Sequence, residues 1–412
     1  MSFKAAEAEP GQIVAIIASP NARAGQAPEV SVVISTYNRC GFLRGLLACL
    51  QAQTLPADRF EVIIVDNGSV DRTWDLLSRY AALTPLRMRA LRLAENLGAG
   101  SGRNVALSKC EGPVVAFTDD DCLPTPGWLA NLIEPLRQNG HEAPALIVQG
   151  RTVPLTAWGQ AVSETSGKAA SEAWGQAVSE TSGKAASAAW EKASMPCPTE
   201  PSARTLWPED AKGPGSGVGP WARSVWVLGP TWLFETCNIA YRHADLEKVG
   251  CFPSGAQSIK GALGRAFGED AILGWRVHES GAELVFAPEA LVHHRLLPCS
   301  YWQWLLEQYG RRGFPGLVSQ NPAIRRAFWN RIFLARRTAA FDLALAACGC
   351  SFTSRKARWL LGCLPWIWLA LPEAAGRRGR NPGVRLIQLA IGDLVGMAGL
   401  AAGSLKHRRL VL

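Results

Sequence analysis

Short apolar runs alternate with helix-forming stretches along the first third of the chain. We predict four strands and three intervening helices: strands Val30–Ser35, Glu61–Asp66, Met88–Leu93 and Pro113–Thr118, and helices Gly41–Gln53, Asp71–Tyr80 and Gly102–Ser108. Strands that alternate with helices form βαβ units, in which the strands lie parallel and are buried on both faces. The pattern therefore predicts an α/β fold whose ligands bind beyond the carboxyl ends of the strands.

The composition excludes several other classes of protein. Hydrophobic residues make up 48% of the 412 residues and charged residues 19%, which is not typical of a disordered chain or a coiled coil. The eleven cysteines include no CxxC pair, so we expect neither a zinc framework nor a disulfide scaffold. We therefore expect the protein in a reducing compartment. We recognise no signal peptide and expect the protein in the cytosol.

Changes in composition divide the chain into five predicted segments. They are a flexible N-terminal arm (1–29), an α/β half (30–150), an insertion (151–225), a second half (226–315) and a basic helical C-terminal region (316–412). The insertion holds a tandem repeat with a 16-residue period, in which Ala157–Ser171 recurs unchanged as Ala173–Ser187. Two copies of so short a unit cannot build a solenoid, so we interpret them as a surface excursion rather than a binding repeat.

The C-terminal region combines positive charge with two apolar segments. Residues 311–412 contain 17 Lys and Arg against 3 Asp and Glu, whereas the first 310 residues contain 26 against 31. The segments Trp359–Pro372 and Leu386–Ala402 are marginal in length for crossing a bilayer, and arginines flank them. A spanning hairpin would carry one basic cluster to the far side. We therefore expect in-plane or re-entrant association with an anionic membrane surface.

Acidic residues follow the fourth predicted strand directly. Asp119 and Asp121 are two residues apart, so on an extended chain they project to the same side, where a parallel sheet presents its ligand site. Two carboxylates so placed suit a hard divalent cation such as Mg²⁺ or Mn²⁺. A solvated acidic turn, or a helix N-cap at Asp121, is the alternative.

Three further stretches carry polar groups that fit a binding site. Asp66 ends the second predicted strand, where it either points into the same crevice or forms an Asx turn. The glycine-rich stretch Asn96–Asn104 precedes a helix and could bring backbone N–H groups and Arg103 toward a phosphate. Glu269 and Asp270 form a second acidic cluster, for which a stabilising charge pair at a helix N-terminus is the alternative.

Seven motifs, in this order, resemble those of family 2 glycosyltransferases of the GT-A fold. The first half contains VSVVISTYNR, EVIIVDNGSVDRT, AENLGAGSGRN and VVAFTDDDCLP, and the second half contains ETCNIAYRHADLEKVGCF, FGEDAILGWRV and FAPEALVHH. The resemblance covers roughly residues 30–150 and 225–315. It implies a mixed, mainly parallel central sheet, with nucleotide-sugar binding in the first half and acceptor binding and catalysis in the second.

The resemblance also implies a role for each motif residue. Residues that would bind the base, ribose or diphosphate of the donor are Thr36, Tyr37, Asn38, Asp66, Asn96, Arg103, Asn104 and Asp119. Residues that would bind the metal are Asp121, with Asp119 and His294 as further contacts. Asp270 would be the catalytic base, and Glu269 would position the acceptor or the base.

The implied activity is an inverting transfer of a sugar from a nucleotide-diphospho-sugar to a hydroxyl acceptor. A divalent cation, Mn²⁺ or Mg²⁺, would neutralise the departing diphosphate. We expect the acceptor to be a lipid-linked or cell-envelope glycan. The basic, apolar C-terminal region would hold the protein at the cytoplasmic side of the cell membrane.

Two other functions are weighed against this one. A nucleotidyltransferase acting on sugar phosphates would need a glycine-rich loop with a lysine after the first strand, and STYNRCGF has no such shape. A nucleic-acid-binding protein would use the basic tail, but such tails seldom alternate basic clusters with long apolar runs. We therefore expect no nucleic-acid partner.

Overall fold

The computed structural model describes residues 13–22, 26–138, 145–155, 221–253, 258–261, 267–376 and 381–412. Within these residues the strands are β1 Ile13–Ala18, β2 Val30–Thr36, β3 Phe60–Asp66, β4 Arg87–Leu93, β5 Val114–Thr118, β6 Cys122–Pro124, β7 Leu146–Pro154, β8 Asn238–Arg242 and β9 Glu283–His294. The helices are α1 Cys40–Gln51, α2 Thr73–Leu83, α3 Ala99–Leu107, α4 Trp128–Gln138, α5 His243–Val249, α6 Glu269–Glu279, α7 Tyr301–Tyr309, α8 Phe314–Gln320, α9 Arg336–Ser354, α10 Leu364–Gly376 and α11 Pro382–His407. Short 3-10 turns span Gly310–Gly313, Pro322–Ala327 and Ala357–Cys363. The tandem repeat of the predicted insertion lies outside the described residues.

One sheet runs through the molecule in the strand order β1-β4-β3-β2-β5-β8-β7-β9-β6. Strands β4, β3, β2 and β5 are parallel to one another, and they are the four strands predicted from the alternating pattern. In the second half only β7 and β9 pair in parallel, while β8 and β6 join the sheet antiparallel. The α/β fold with a mixed central sheet is thus confirmed, and its parallel block is concentrated in the first half.

Strand β1 lies within the segment that we expected to be a flexible arm. It pairs antiparallel with β4, from Ile13 opposite Leu93 to Ala18 opposite Arg89. Its side chains alternate between half-buried and exposed along the strand. Strict alternation in a run rich in isoleucine and valine is the pattern of an edge strand with one covered face.

Helices cover both faces of the sheet, so the molecule has three layers. On one face Leu46, Leu77 and Leu132 from α1, α2 and α4 are buried in a core with the strands. On the other face, Val105 from α3 and Leu273 from α6 belong to the second core. Burial on both faces explains why β3 is apolar at nearly every position rather than alternating.

Helix α11 is the one helix of the described residues that is long and apolar enough to cross a membrane, and 39% of its apolar window is buried. Its buried Asp393 accepts hydrogen bonds from Arg337 Nε at 2.8 Å and Trp366 Nε1 at 2.9 Å. Arg311 Nη1 lies 3.6 Å from the other oxygen of the same carboxylate. The helix is therefore fixed to α9, α10 and the turn after α7 through a buried polar contact.

A row of glycines lets α11 approach the body closely, and this generates a stability prediction. A Cβ at Gly399 would lie 2.6 Å from the carbonyl oxygen of Tyr309, whereas a Cβ at Gly349 on α9 meets nothing within 4 Å. Gly399→Ala should lower the free energy of unfolding by about 1–2 kcal/mol, because overpacking against fixed backbone outweighs the gain in helix propensity. Thermal or denaturant unfolding measures the change.

Gly349→Ala is the matched control. It should stabilise the protein by about 0.5–1 kcal/mol, because alanine loses less backbone entropy than glycine in a helix. Equal effects of the two substitutions would contradict the packing of α11 described above.

Candidate functional site

A cleft of about 1120 Å³ opens at the carboxyl ends of β2, β3 and β5. Its floor is formed by residues that end these strands or follow them: Ser35, Thr36, Asn67, Asp119, Asp120 and Asp121. The first turn of α3 and Glu269 at the start of α6 form one wall, and Arg223, Ser224 and His294 form another. The position agrees with the rule that ligands bind beyond the carboxyl ends of parallel strands.

Asp121 and His294 face each other on one side of the cleft. The Nε2 atom of His294 lies 3.4 Å from Asp121 Oδ1, and both side chains are buried. The Nδ1 atom of His294 lies 3.0 Å from the carbonyl oxygen of Arg295, to which it can donate a proton. Nε2 is then a lone-pair acceptor that faces a carboxylate, an arrangement that requires either a proton or a cation between them.

The donor set around Asp121 fits a hard or borderline divalent cation. Single ligand atoms of Asp121, Cys122 and His294 all lie within 4.8 Å of one another. Burial raises the pKa of the Cys122 thiol well above its usual value, so the thiol stays protonated and is a poor ligand. A carboxylate oxygen with an imidazole nitrogen can hold a divalent cation without a thiolate ligand.

The middle aspartate of the triplet also lies in the cleft, which the sequence analysis did not anticipate. Asp120 is buried, and its Oδ2 accepts a hydrogen bond of 2.8 Å from Thr36 Oγ1. Burial, reinforced by the charge of Asp121, raises the pKa of Asp120 to about 7. Strand β5 ends before the triplet, so the two-residue alternation of a strand no longer decides which of the three side chains face the cleft.

The second acidic cluster meets the first across the cleft. Asp119 accepts a hydrogen bond of 2.7 Å from Arg103 Nη2, and Arg103 Nη1 lies 3.3 Å from both Glu269 Oε1 and Asp270 Oδ1. Asp270 Oδ2 accepts hydrogen bonds from the backbone N–H and the hydroxyl of Thr236, at 3.2 and 2.9 Å. Burial raises the pKa of Asp270, while Arg103 opposes that shift.

Three of the predicted donor-binding residues lie beside the cleft rather than in its lining. Asp66 is fully buried, and its Oδ1 accepts a hydrogen bond from Ser69 N at 3.0 Å, the turn contact that was the alternative interpretation. Asn38 accepts from Val70 N at 2.8 Å and so holds the same turn from the other side. Asn104 exchanges two 2.9 Å hydrogen bonds with the backbone of Phe252. All three positions fasten loops that border the cleft.

The remaining predicted residues line the cleft. Thr36, Tyr37, Asn96, Arg103, Asp119, Asp121, Glu269 and His294 all do so. Asp270 lies directly behind Glu269 with 28% of its side chain exposed.

Besides Arg223 in the cleft wall, two further cations of the cleft were not anticipated from the sequence. Arg39 has its Nη1 4.0 Å from Asp121 Oδ2, and Lys260 is exposed in the cleft wall. Arg39 was present in the motif STYNR and carried a usable signal. Lys260 lies in a stretch without any pattern, which gave no signal.

The comparisons with known proteins agree with this geometry. The sequence profile of glycosyl transferase family 2 matches residues 31–187. The match covers less than half of the chain and identifies a glycosyl transferase family 2 domain within it. Glycosyltransferase AglE of Haloferax volcanii is 31% identical over 113 residues, and the poly(ribitol-phosphate) beta-N-acetylglucosaminyltransferase TarS of Staphylococcus aureus is 38% identical over 92 residues. The family predicted from the motifs is confirmed for this domain, and both relatives are named as transferases of sugars.

The relatives extend beyond the aligned regions. The alignments cover 27% and 22% of this chain, and only 37% of AglE and 16% of TarS. A solved mannosyltransferase from Pyrobaculum calidifontis, in complex with GDP-Man and Mn²⁺, matches with a TM-score of 0.52 at 17% identity, over 90% of this chain and 88% of that chain. At this identity the structural match supports the fold and nothing further.

The carboxylate cluster generates a prediction about stability and pH. Burial raises the pKa of Glu269 to about 7, with a contribution from Asp270 and against the opposing effect of Arg103. A folded-state pKa above the value of about 4.3 in the unfolded chain means that stability is lost as the pH rises from about 4 to 7. Glu269→Gln should therefore raise the Tm by roughly 2–4 °C at pH 8 and change it little at pH 5.

Glu283→Gln, at the exposed start of β9, serves as the control because it removes a carboxylate outside the cluster. It should change the Tm equally little at both pH values. An effect of Glu269→Gln that is the same at pH 5 and pH 8 would contradict the crowded, buried state of the cluster.

Proposed function

We propose that the protein transfers a sugar from a nucleotide-diphospho-sugar to a hydroxyl acceptor, with inversion at the anomeric carbon. The observation that carries this proposal is the gathering of two acidic motifs, Asp119–Asp121 and Glu269–Asp270, in one cleft at the carboxyl edge of the sheet. The family 2 domain supports glycosyl transfer over nucleotidyl transfer. The cleft volume of about 1120 Å³ exceeds what a single monosaccharide needs and suits a nucleotide sugar.

The donor would lie with its diphosphate near Asp121, Arg39 and Lys260. The relatives are named as transferases of sugars, and the solved mannosyltransferase of the same fold binds GDP-Man and Mn²⁺. In this chain Asp121 and His294 would hold the divalent cation, with Asp119 as a further metal or ribose contact. When bound, the cation would neutralise charge on the departing diphosphate as a Lewis acid.

Two cations of the chain would help to stabilise the negative charge on the departing diphosphate. Arg39 reaches toward Asp121. Lys260 also lines the cleft, and it has no carboxylate partner among the described residues. Fixed cations aimed at a developing negative charge stabilise a transition state more effectively in a partly enclosed cleft than in water. The nucleoside would extend toward Tyr37 and Asn67, which also line the cleft.

Asp270 would act as the general base. Its carboxylate would accept the proton of the acceptor hydroxyl while that oxygen attacks the anomeric carbon from the face opposite the diphosphate. A carbon–oxygen bond to the acceptor forms, the bond to the phosphate oxygen breaks, and the nucleoside diphosphate leaves with the electron pair. A base of this kind contributes about 10²–10⁴-fold to the rate.

A thermal-shift experiment tests the donor and metal site. Nucleoside diphosphates and their sugars (UDP, dTDP and GDP series) should raise the Tm of the purified chain only when Mn²⁺ or Mg²⁺ is present. A ligand that binds the folded state at 100 times its Kd stabilises by about 2.7 kcal/mol. Asp121→Asn should remove most of the metal-dependent shift, because it removes one negative charge where the cation would bind.

Asp58→Asn is the matched control, since Asp58 is exposed in the turn before β3 and outside the cleft. It should leave the shift as in the wild type. A shift of equal size in EDTA, or one that survives in Asp121→Asn, would overturn the assignment of the metal to this carboxylate.

We also propose that the acceptor is a lipid-linked or cell-envelope glycan reached from the cytoplasmic face of a membrane. The supporting feature is the C-terminal apolar surface, defined by Phe352, Leu361, Leu364 and Trp368. Phe352 and Trp368 are 87% and 78% exposed, far more than is usual for large apolar side chains. The exposed cations Arg355, Lys356 and Arg358 lie along the same stretch of chain.

A surface that combines exposed aromatic residues with cations matches the interface of an anionic bilayer. Helix α11 would not need to cross the bilayer for this, because Asp393 and its arginine partners hold it against the body. The protein would then lie on the membrane with α9 and α10 inserted to the depth of the headgroups.

Vesicle sedimentation tests the membrane surface. Phe352→Ser combined with Trp368→Ser should reduce binding to vesicles of phosphatidylglycerol and phosphatidylcholine by at least about tenfold, because two large apolar side chains no longer leave water. Replacing Arg355, Lys356 and Arg358 with glutamine should weaken binding mainly at low salt, since the Debye length shortens as salt increases.

Val70→Ser provides the control, because Val70 is 85% exposed but lies beside the donor cleft. Its vesicle binding should equal that of the wild type. Unchanged sedimentation of the double variant would overturn the assignment of this surface to the membrane.

A further inference from the structure

Arg103 lies at the centre of the charge cluster between the two acidic motifs. Only 7% of its side chain is exposed. Its Nη2 donates to Asp119 at 2.7 Å, and its Nη1 lies 3.3 Å from Glu269 and from Asp270. One guanidinium group therefore contacts three carboxylates that come from positions far apart in the sequence.

The approach of α3 to the sheet makes these contacts possible. A Cβ at Gly102 would collide with the side chains of Ser35 and Asn67, and one at Gly100 would lie 3.2 Å from the carboxyl carbon of Glu269. The glycine-rich sequence before Arg103 is thus required for close packing of α3 on β2, β3 and α6. Close packing therefore explains the glycines, and a phosphate-binding loop is not needed to explain them.

The contacts also leave Arg103 little capacity for the donor. Both of its terminal nitrogens already donate to carboxylates, and its guanidinium carbon lies 5.5 Å from the ring centre of Phe252. The diphosphate contact that the family resemblance implied for Arg103 would require it to abandon these partners. Arg39 and Lys260 are better placed for that contact.

Removing this cation would leave three partly buried carboxylates facing one another without a positive charge between them. Like charges at such distances repel, and a buried carboxylate without its partner is strongly disfavoured. Asp270 would keep only its contact with Thr236, so its Oδ1 would lose the group that fixes it. The orientation of the Asp270 carboxylate toward an acceptor hydroxyl depends on its contact with Arg103.

We propose that Arg103 is a positioning residue that ties Asp119 to Glu269 and Asp270 and fixes the Asp270 carboxylate for proton transfer. This inference rests on the proposed function, because it takes Asp270 as the base. It assigns to Arg103 an effect on the chemical step and little effect on donor affinity.

Chemical rescue tests this role. The assay follows nucleoside diphosphate release by the full chain from the UDP-, dTDP- or GDP-sugar that gives the largest thermal shift, with water as the acceptor. Arg103→Ala should lower kcat at least about 100-fold, comparable to Asp270→Asn, because the base is no longer held in place. The affinity of Arg103→Ala for the nucleoside diphosphate in the presence of Mn²⁺, measured by calorimetry, should change less than about threefold. If Arg103 bound the diphosphate directly, the loss of that charged contact would lower the affinity about tenfold.

Guanidinium added at a concentration below that which unfolds the protein should restore part of the activity of Arg103→Ala. Urea, which is neutral but has nearly the same shape, should not restore it. Arg103→Lys, which keeps the charge but cannot donate in a fork to three carboxylates, should retain intermediate kcat. Arg137→Ala is the control, since Arg137 makes only ion pairs on the exposed surface with Glu29 and Glu134.

Several results would overturn the inference. They are a kcat of Arg103→Ala close to that of the wild type, a loss of nucleotide affinity in proportion to kcat, or equal rescue by guanidinium and urea. The second of these would return Arg103 to the diphosphate. If Arg103→Ala does not fold, Arg103→Lys decides the question. A wild-type kcat in Arg103→Lys would show that the forked contact of the guanidinium with the three carboxylates is not needed. Absence of turnover by the wild-type chain with every nucleotide sugar would contradict the proposed function itself, and the inference with it.

Discussion

The structure depends on keeping five carboxylates together at one edge of a buried sheet. Asp119, Asp120 and Asp121 follow β5, and Glu269 and Asp270 begin α6 directly opposite. Burial and repulsion from neighbouring carboxylates raise the pKa values of Asp120 and Glu269, each to about 7. Every polar group nearby offsets that repulsion: Thr36 and Thr236 by hydrogen bonds, and Arg39 and Arg103 by charge.

The elements far from the cleft serve the same arrangement. Gly268 precedes the acidic pair with a φ of 67°, a left-handed conformation that favours glycine, and any Cβ there would strike Leu317 of α8. Helix α8 packs in turn against α11, where Gly316 faces His407. The C-terminal helices therefore form the support behind Glu269 and Asp270, and the apolar surface that we assign to the membrane lies on their outer side.

The sequence predicted the elements that depend on local pattern and the residues that follow strands directly. The strands β2 to β5 and the helices between them lie where the periodicity placed them, because burial on both faces gives a clear apolar run. The acidic motifs were found because strand ends converge at one edge of a parallel sheet. The family resemblance carried by the four motifs of the first half was confirmed by the match to residues 31–187.

What the sequence could not predict depends on contacts between distant residues. Arg103 meets Glu269 and Asp270 across 166 and 167 residues, and no local pattern encodes such a meeting. The same holds for Asn104 with Phe252 and for Lys260 in the cleft wall. For Asp66 the sequence left a ligand role and a turn contact open, because an aspartate before a glycine turn has the same sequence in both cases; the structure shows the turn contact to Ser69 N.

The most direct test of this account is a crystal of the full chain soaked with Mn²⁺ and the nucleoside diphosphate that stabilises it most, measured for anomalous scattering of manganese. The account predicts one strong peak within bonding distance of the Asp121 carboxylate and His294 Nε2, with the diphosphate on the side of Arg39 and Lys260. Arg103 should still contact Asp119 and Asp270. A manganese peak away from Asp121, or a diphosphate bound by Arg103, would contradict it.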